Sequence, residues 1–271
     1  MPSGKANKRR RQTTPAPPPV RVRGQERERK ASPKFLIAAA IVVVAVIVAV
    51  ALGLVLGKSS SNAFASVPAV GSLRGALPGA SDIESLFKGI PQSGTTLGRS
   101  KAPVTMTEFI DPQCPYCREF ETTVLPSLVK DFVRTGKVRI QMEPWAFIGS
   151  DSARGQAAEL AAAEQGKAFN LAELLYFNQG EENTGWLNDT MIASTARSIP
   201  GLRTHALDAA RSSSAVKQAQ QNVDQLALTD KISGTPTIFV GPTGTKGTEV
   251  ALSSPTDKQA VVAASTRALN S

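Results

Sequence analysis

The two cysteines of the 271-residue chain lie close together, in the segment Cys114-Pro115-Tyr116-Cys117. This spacing allows the two thiols to form a disulfide that opens and closes during thiol–disulfide exchange. If a helix begins at Pro115, Cys114 occupies its N-cap, where free backbone N–H groups and the helix dipole stabilise a thiolate. We therefore expect Cys114 to have a lowered pKa and to be the attacking thiol. Cys117, which should be less exposed, is expected to resolve the mixed disulfide.

Two other roles are open to the cysteine pair. A structural disulfide closing so small a loop would remove little entropy from the unfolded chain, so it would stabilise the fold only weakly. A four-ligand zinc site of cysteine and histidine needs four such residues, and the chain has two cysteines and one histidine. The pattern therefore favours redox chemistry with no metal and no added cofactor, in which the redox group is the Cys114–Cys117 disulfide.

A strand followed by a helix is predicted to position the pair. The segment from Val104 to Ile110 alternates in polarity and is bounded by turn residues, which predicts a β-strand. Over residues 115–134 apolar side chains recur at four-residue steps, which predicts an amphipathic helix. Pro126 lies inside this helix and should kink it.

The remainder of the globular region predicts an α/β architecture with a helical block in the middle. Residues 151 to about 229 are rich in Ala, Glu and Gln at helical spacing, which predicts a helical insertion. The other predicted elements are strands over Val138 to Glu143, Thr237 to Val240 and Glu249 to Leu252, and a last helix from Ser254-Pro255 to about Leu269.

Charge and hydropathy near the N-terminus predict a membrane anchor. Residues 1–34 carry eleven Lys and Arg against two Glu, an excess of nine that equals the formal net charge of the whole chain, so residues 35–271 together have no net charge. This tail is rich in Pro and poor in apolar residues, which predicts disorder. The apolar segment 35–57 follows, and its 22 residues from Phe35 to Leu56 carry no charge. As a helix these residues would extend roughly 33 Å, enough to span a bilayer. The positive-inside rule places the N-terminus in the cytoplasm and the domain outside the cell membrane.

Alternatives to this anchor stay open. The apolar core of a cleavable signal peptide is usually shorter, but Ala63-Phe64-Ala65 resembles a cleavage site, so secretion after cleavage near Ala65 is the alternative. The tail lacks aromatic residues that could stack on bases, so we expect no nucleic-acid binding. Residues 58–81 are rich in Ser, Gly, Ala and Pro, which predicts a flexible linker before a domain over 82–271.

The segment FIDPQCPYCREF, followed far downstream by GTPTIFV, resembles the thioredoxin superfamily. Specifically it resembles DsbA-like thiol–disulfide oxidoreductases of the membrane-tethered bacterial type, over roughly residues 83–270. The resemblance implies an α/β thioredoxin fold with a helical insertion between the second and third strands. It also implies an added N-terminal strand from the stretch that precedes Val104.

The resemblance implies roles for individual residues. Cys114–Cys117 would be the redox-active pair, with the roles given above. Pro115 and Tyr116 would contact substrate. Pro236 matches a proline that is preceded by a cis peptide bond beside the active site, and the backbone of Thr235 would pair with a bound peptide.

Glu108 matches the position of a buried acid that assists proton transfer at the inner cysteine in relatives. It shares a strand face with Val104 and Met106, and a carboxyl group among apolar side chains has a raised pKa and can exchange protons near neutral pH. The alternative is an exposed glutamate on the polar face with Thr105 and Thr107.

Together these features predict a membrane-anchored, extracytoplasmic thiol–disulfide oxidoreductase that forms or exchanges disulfides in exported, cysteine-containing proteins. An oxidant would need a quinone-linked oxidase in the membrane, and a reductant would need an electron-supplying membrane reductase. The residue pair between the cysteines is Pro-Tyr where DsbA has a histidine, so it adds no positive charge and leaves a reductase or isomerase open. A tethered, non-catalytic peptide-binding or chaperone module is a further alternative, against which two intact cysteines argue. We expect a monomer.

Overall fold

The structure is a computed structural model that describes residues 63–271. The predicted basic tail (1–34), the predicted transmembrane helix (35–57) and the first part of the predicted linker (58–62) lie outside the described residues. Within 63–271, no helix combines the length and the apolar character needed to cross a bilayer.

The described residues form a mixed, six-stranded sheet. Its strands are β1 (Gln92–Ser93), β2 (Thr96–Leu97), β3 (Val104–Ile110), β4 (Val138–Pro144), β5 (Thr237–Pro242) and β6 (Thr248–Glu249). Their order across the sheet is β1-β2-β4-β3-β5-β6. The central strand β3 runs parallel to β4 and antiparallel to β5. The three longer strands confirm those predicted from the alternating pattern.

Helices cover the sheet and follow the predicted order. They are α1 (Ala80–Phe87), α2 (Pro115–Thr123), α3 (Leu125–Leu128), α4 (Ser150–Ala163), α5 (Ala168–Phe177), α6 (Asp189–Arg197), α7 (Thr204–Arg211), α8 (Ser214–Asp230) and α9 (Lys258–Leu269), with a π-helical segment, Val129–Val133, directly after α3. The single kinked helix predicted over 115–134 is thus three consecutive segments. The break falls at Val124, ahead of Pro126, because a proline ring crowds the backbone carbonyl of the preceding turn.

The predicted helical insertion is confirmed as the five helices α4 to α8, between β4 and β5. Helix α4 packs against α5, α7 and α8, and α5 packs against α2. Every residue of α5 from Ala168 to Tyr176 is buried, so this helix has no polar face and forms the centre of the insertion. Through α5 the insertion is joined directly to the helix that carries the cysteine pair.

Residues 63–79 pack on the domain, so the prediction of a flexible linker over 58–81 is wrong for this part. Phe64 is 3% exposed and belongs to the hydrophobic core. Gly71 lies so close to the insertion that a Cβ atom there would overlap the backbone oxygen of Ile199. Small residues here permit close approach between chain segments, whereas composition alone suggests flexibility.

Three further boundaries differ from the predictions. The strand predicted over 249–252 is the two-residue strand β6. The last helix begins at Lys258 rather than at Ser254-Pro255, because the Asp257 carboxylate accepts a hydrogen bond from the Ala260 N–H at 3.1 Å and caps the helix there. The one added N-terminal strand implied by the resemblance is two short strands, β1 and β2, of which β2 pairs with β4.

Candidate active site

Cys114 lies between the end of β3 and the start of α2, at the helix N-cap. It is 4% exposed. The pKa of its thiol is lowered from the ordinary value to about 6, first through a hydrogen bond from the Cys117 thiol, then through one from the Thr235 side chain, and then through backbone N–H groups of the first helical turn. These hydrogen bonds outweigh burial, which acts in the opposite direction. Cys114 is therefore mostly a thiolate at neutral pH.

Cys117 is the third residue of α2 and is fully buried. Burial raises the pKa of its thiol well above the ordinary value, and the neighbouring Cys114 sulfur raises it further. One thiol is thus a nucleophile near neutral pH, while the other keeps its proton until a base removes it. This difference is the one that an attacking and a resolving cysteine require.

The loop before β5 faces the attacking cysteine. The Thr235–Pro236 peptide bond is cis, as the resemblance implies, and the Thr235 carbonyl oxygen lies 3.3 Å from the Cys114 sulfur, where it can accept a hydrogen bond from Cys114 when the thiol is protonated. An open cavity of about 240 Å³ lies beside this contact. It is lined by Tyr116, Thr235, Pro236, Leu252, Ser254 and Pro255. The cavity thus brings together three of the predicted substrate-binding residues, Tyr116, Thr235 and Pro236, while Pro115 is exposed but does not line it.

Asp111 joins three segments around the cysteine pair. It is fully buried, and its Oδ1 accepts hydrogen bonds from the Gln113 N–H and the Ser152 hydroxyl, both at 2.7 Å. Its Oδ2 accepts the N–H groups of Phe147 and Ile148, both at 2.8 Å. One carboxylate therefore fixes the loop before α2, the loop after β4 and the first turn of α4.

Two glutamines attach the insertion to the same loop. The Gln113 side chain accepts the Asn183 N–H at 2.9 Å. Gln179, directly after α5, donates its amide to the carbonyl oxygens of Pro112 at 3.0 Å and of Cys114 at 3.2 Å. Sequence reasoning misses the long-range contacts of Asp111, Gln113 and Gln179, because these contacts join residues more than 30 positions apart. An Asp-Pro turn directly after a strand is the one local signal among them.

Glu108 lies on the buried face of β3 with Val104 and Met106, as predicted. Burial raises the pKa of its carboxyl group well above the ordinary value, and the charge of Glu173 adds to this. Neither carboxylate oxygen has a hydrogen-bond partner among residues 63–271. Glu108 therefore holds a proton in the core and can act as an acid. In this part of the chain no three His, Cys, Asp or Glu side chains are arranged to hold a metal ion.

Comparisons with known proteins bear on the family and the fold. Residues 92–253 match the protein-family model described as Thioredoxin. A probable disulfide bond formation protein D of Bacillus cereus is 30% identical over 148 residues, which are 54% of this chain and 68% of that protein. The oxidised crystal structure of BdbD from Bacillus subtilis superposes with a TM-score of 0.59 at 22% identity, over 67% of this chain and 97% of that one. A thioredoxin-like oxidoreductase from Silicibacter pomeroyi gives a TM-score of 0.53 at 26% identity, over 69% and 98% of the two chains.

Proposed function

We propose, from the premise that the chain belongs to the thioredoxin family and is a DsbA-like thiol–disulfide oxidoreductase, that it forms disulfide bonds in exported proteins. The observation that carries the proposal is the difference between the two thiols, with the pKa of Cys114 lowered to about 6 and that of Cys117 raised. A stabilised Cys114 thiolate stabilises the reduced enzyme, which makes the enzyme disulfide a better oxidant. This favours donation of the disulfide over reduction of substrates.

Oxidation of a substrate dithiol takes two exchange steps. A substrate thiolate attacks the Cys114 sulfur of the Cys114–Cys117 disulfide, the S–S bond breaks, and Cys117 leaves with the electron pair and takes up a proton. A second substrate thiolate then attacks the substrate sulfur of the mixed disulfide and releases Cys114. Because Cys114 is a stable thiolate, it is a good leaving group in this second step. Two electrons pass from the substrate to the enzyme.

The substrates are proposed to be exported, cysteine-containing proteins that bind as extended segments beside Cys114. The open cavity of about 240 Å³ and the exposed Tyr116 ring give room and contact area for such a segment. The Thr235 backbone, already within hydrogen-bond distance of Cys114, is placed to align it.

The proposed location is the outer face of the cell membrane, with the N-terminus in the cytoplasm. The uncharged segment Phe35–Leu56 and the excess of basic residues in 1–34 support it. A quinone-linked membrane oxidase would then reoxidise the pair. Retention of the chain in alkali-washed membranes, with the domain digested by protease added outside spheroplasts, is the expected result. Release of the domain into the medium would instead support cleavage near Ala65.

The direction of exchange is tested by the reduction potential of the Cys114–Cys117 pair in glutathione buffers. We expect a value well above the roughly −270 mV of thioredoxin. A value close to thioredoxin would support the alternative, a reductase, which the uncharged Tyr116 between the cysteines leaves open.

Substrate capture tests the mechanism and the partners together. A Cys117→Ala variant should accumulate mixed disulfides with exported proteins, which mass spectrometry can identify, and Cys114→Ser is the matched control that should capture none. If Cys114→Ser retained full activity in refolding reduced ribonuclease, the catalytic proposal would fail and a peptide-binding module would be favoured.

A further inference from the structure

A cavity of about 460 Å³ lies on the β1–β2 side of the sheet, and we call it the basic cavity. Two arginines, Arg99 and Arg139, line it together with Ser93, Thr96 and Ser100. Among residues 63–271, no Asp, Glu or His lines it. Its volume is within the range of about 300–1,000 Å³ that is usual for sites that bind small molecules.

The pairing of the strands brings the two arginines together. β2 runs antiparallel to β4 with Leu97 opposite Ile140, so the chain that leaves β2 passes beside Arg139. Arg99 follows two residues after Leu97 and is exposed. Its side chain packs over Gly136, where an added Cβ atom would lie 2.9 Å from the Arg99 Cδ. Two guanidinium groups from distant parts of the chain therefore line one cavity.

Arg139 is half-buried and is held in place by neutral acceptors. Its Nε donates to the Thr105 hydroxyl at 3.0 Å, and its Nη1 donates to the Ser100 carbonyl at 3.4 Å. Because neither acceptor is charged, the positive charge of the guanidinium is not compensated by them. The Nη2 group donates no hydrogen bond within residues 63–271, so it is available to a ligand.

The positive charge around the basic cavity is not balanced by acidic side chains. In the part of the chain that the structure describes, no salt bridge involves Arg99 or Arg139. The same holds for Lys101 and Lys137, two exposed residues that each lie two positions from one of these arginines. Like charges gathered on one surface repel one another, and a bound anion would remove this repulsion.

The donors at the basic cavity favour a phosphate group over a carboxylate. A guanidinium presents N–H groups in a planar fork that matches two oxygens of either anion. Two guanidinium groups at one cavity can together bind three or four oxygens, which a phosphate has and a carboxylate does not. The hydroxyl groups of Ser93 and Ser100 supply two further donors in the same wall.

We propose that the basic cavity binds a phosphate group through Arg99 and Arg139. The inference is independent of the function proposed for the cysteine pair. Arg139 lies opposite Thr105 near the start of β3, whereas Cys114 follows the end of that strand. At about 3.3 Å per residue, the strand from Thr105 to Ile110 alone separates them by roughly 16 Å. A phosphate group in the basic cavity therefore lies apart from the thiols.

The test is calorimetric titration of the full chain in a nonionic detergent. Inorganic phosphate and glycerol 3-phosphate represent a free phosphate, and glycerophosphoglycerol represents the phosphodiester of a lipid headgroup. Saturable binding of any of the three supports the proposal, and the tightest of them identifies the source of the phosphate. No saturable binding of any of them, or binding of acetate as tight as that of phosphate, would overturn it.

Variants locate the bound phosphate. Arg99→Ala should weaken binding by at least about tenfold, because each arginine supplies charge-assisted hydrogen bonds. Arg139→Lys should weaken it by a similar factor, since lysine keeps the charge but lacks the planar fork. Arg74→Ala removes the same charge from an exposed arginine elsewhere and should bind as the unmodified protein does. Equal weakening in Arg74→Ala and Arg99→Ala would show non-specific attraction and refute the site.

A measurement on the unmodified protein covers variants that do not fold. In the nitrogen-15 spectrum of the arginine side chains, added phosphate should shift the Nε signals of Arg99 and Arg139. Arg99 is exposed, so Arg99→Ala should fold and assign one of the two signals by its loss. Saturable binding that leaves the assigned Arg99 signal unmoved would place the phosphate elsewhere and contradict the proposal.

Discussion

The reactivity of Cys114 depends first on its neighbour Cys117, whose thiol donates a hydrogen bond to it, then on the Thr235 side chain, and then on the helix terminus. Replacing Cys117 with alanine removes the largest contribution that lowers the pKa. We therefore expect the Cys114 thiolate to titrate at a higher pH in Cys117→Ala than in the reduced, unmodified protein, where its pKa is about 6. The rate of alkylation by iodoacetamide as a function of pH measures it. Cys117→Ser, which keeps a donor, should retain the lower midpoint, and equal midpoints in all three proteins would contradict this explanation.

Asp111 is expected to matter for stability through charge as well as shape. Asp111 accepts all four of its hydrogen bonds. In Asp111→Asn an amide N–H₂ group would replace one accepting oxygen and would face N–H or O–H donors. Leaving buried donors without an acceptor should cost about 2–3 kcal/mol in the free energy of unfolding. Urea denaturation measures this, with the exposed Asp131→Asn as control. A loss equal to that of the control would show that the carboxylate does not hold the three segments together.

The reacting groups of the site could be predicted from local sequence, while the groups that hold them could not. The N-cap position of Cys114 and the buried strand face of Glu108 follow from spacing within a few residues. The contacts of Gln179 with Pro112 and Cys114 join positions 67 and 65 residues apart. No periodic pattern or motif relates residues that far apart, since their proximity depends on how the insertion packs against α2.

At the scale of elements, prediction succeeded where a pattern repeats several times. β3 and β4 have seven residues each, enough for alternation to show. β6 has two residues and is set by pairing with β5 rather than by its own sequence. For residues 63–79 the composition is misleading. Their Gly, Ser and Ala content predicts a flexible segment, but tertiary contacts hold this segment against the insertion.

Gly71 provides a test of that packed N-terminal stretch. Its N–H donates to the Leu202 carbonyl at 2.8 Å, and a Cβ atom would overlap the backbone oxygens of Ile199 and Ala196. Gly71→Ala should therefore separate the stretch from the insertion and lower the free energy of unfolding by about 1–3 kcal/mol. Limited proteolysis and urea denaturation measure both effects. Ser72→Ala, at the exposed next position, should change neither, and a protease-resistant Gly71→Ala protein would show that the stretch can shift without cost.

At the scale of the whole molecule, the domain concentrates carboxyl groups in its interior. Burial raises the pKa of Glu143 and of Glu173 to about 7. It also raises the pKa values of Glu108, Glu121 and Glu159 well above the ordinary value. In the unfolded chain all five would titrate near the ordinary value of about 4.3. Between pH values of about 4.3 and about 7, the folded protein therefore binds more protons than the unfolded chain.

This excess of bound protons fixes the sign of the dependence of stability on pH. Stability rises with pH only where the unfolded state binds more protons, so here it should be greatest at low pH and fall as pH rises through about 7. Each group that loses its proton contributes up to about 1.4 kcal/mol per pH unit. Urea denaturation of the disulfide form, between pH of about 5 and about 8, measures the slope without a contribution from the thiols. Glu173→Gln should reduce this slope by roughly the contribution of one carboxyl group, while Glu119→Gln should leave the slope unchanged. A free energy of unfolding that stays constant or increases over this range would mean that the buried carboxyl groups find compensating partners.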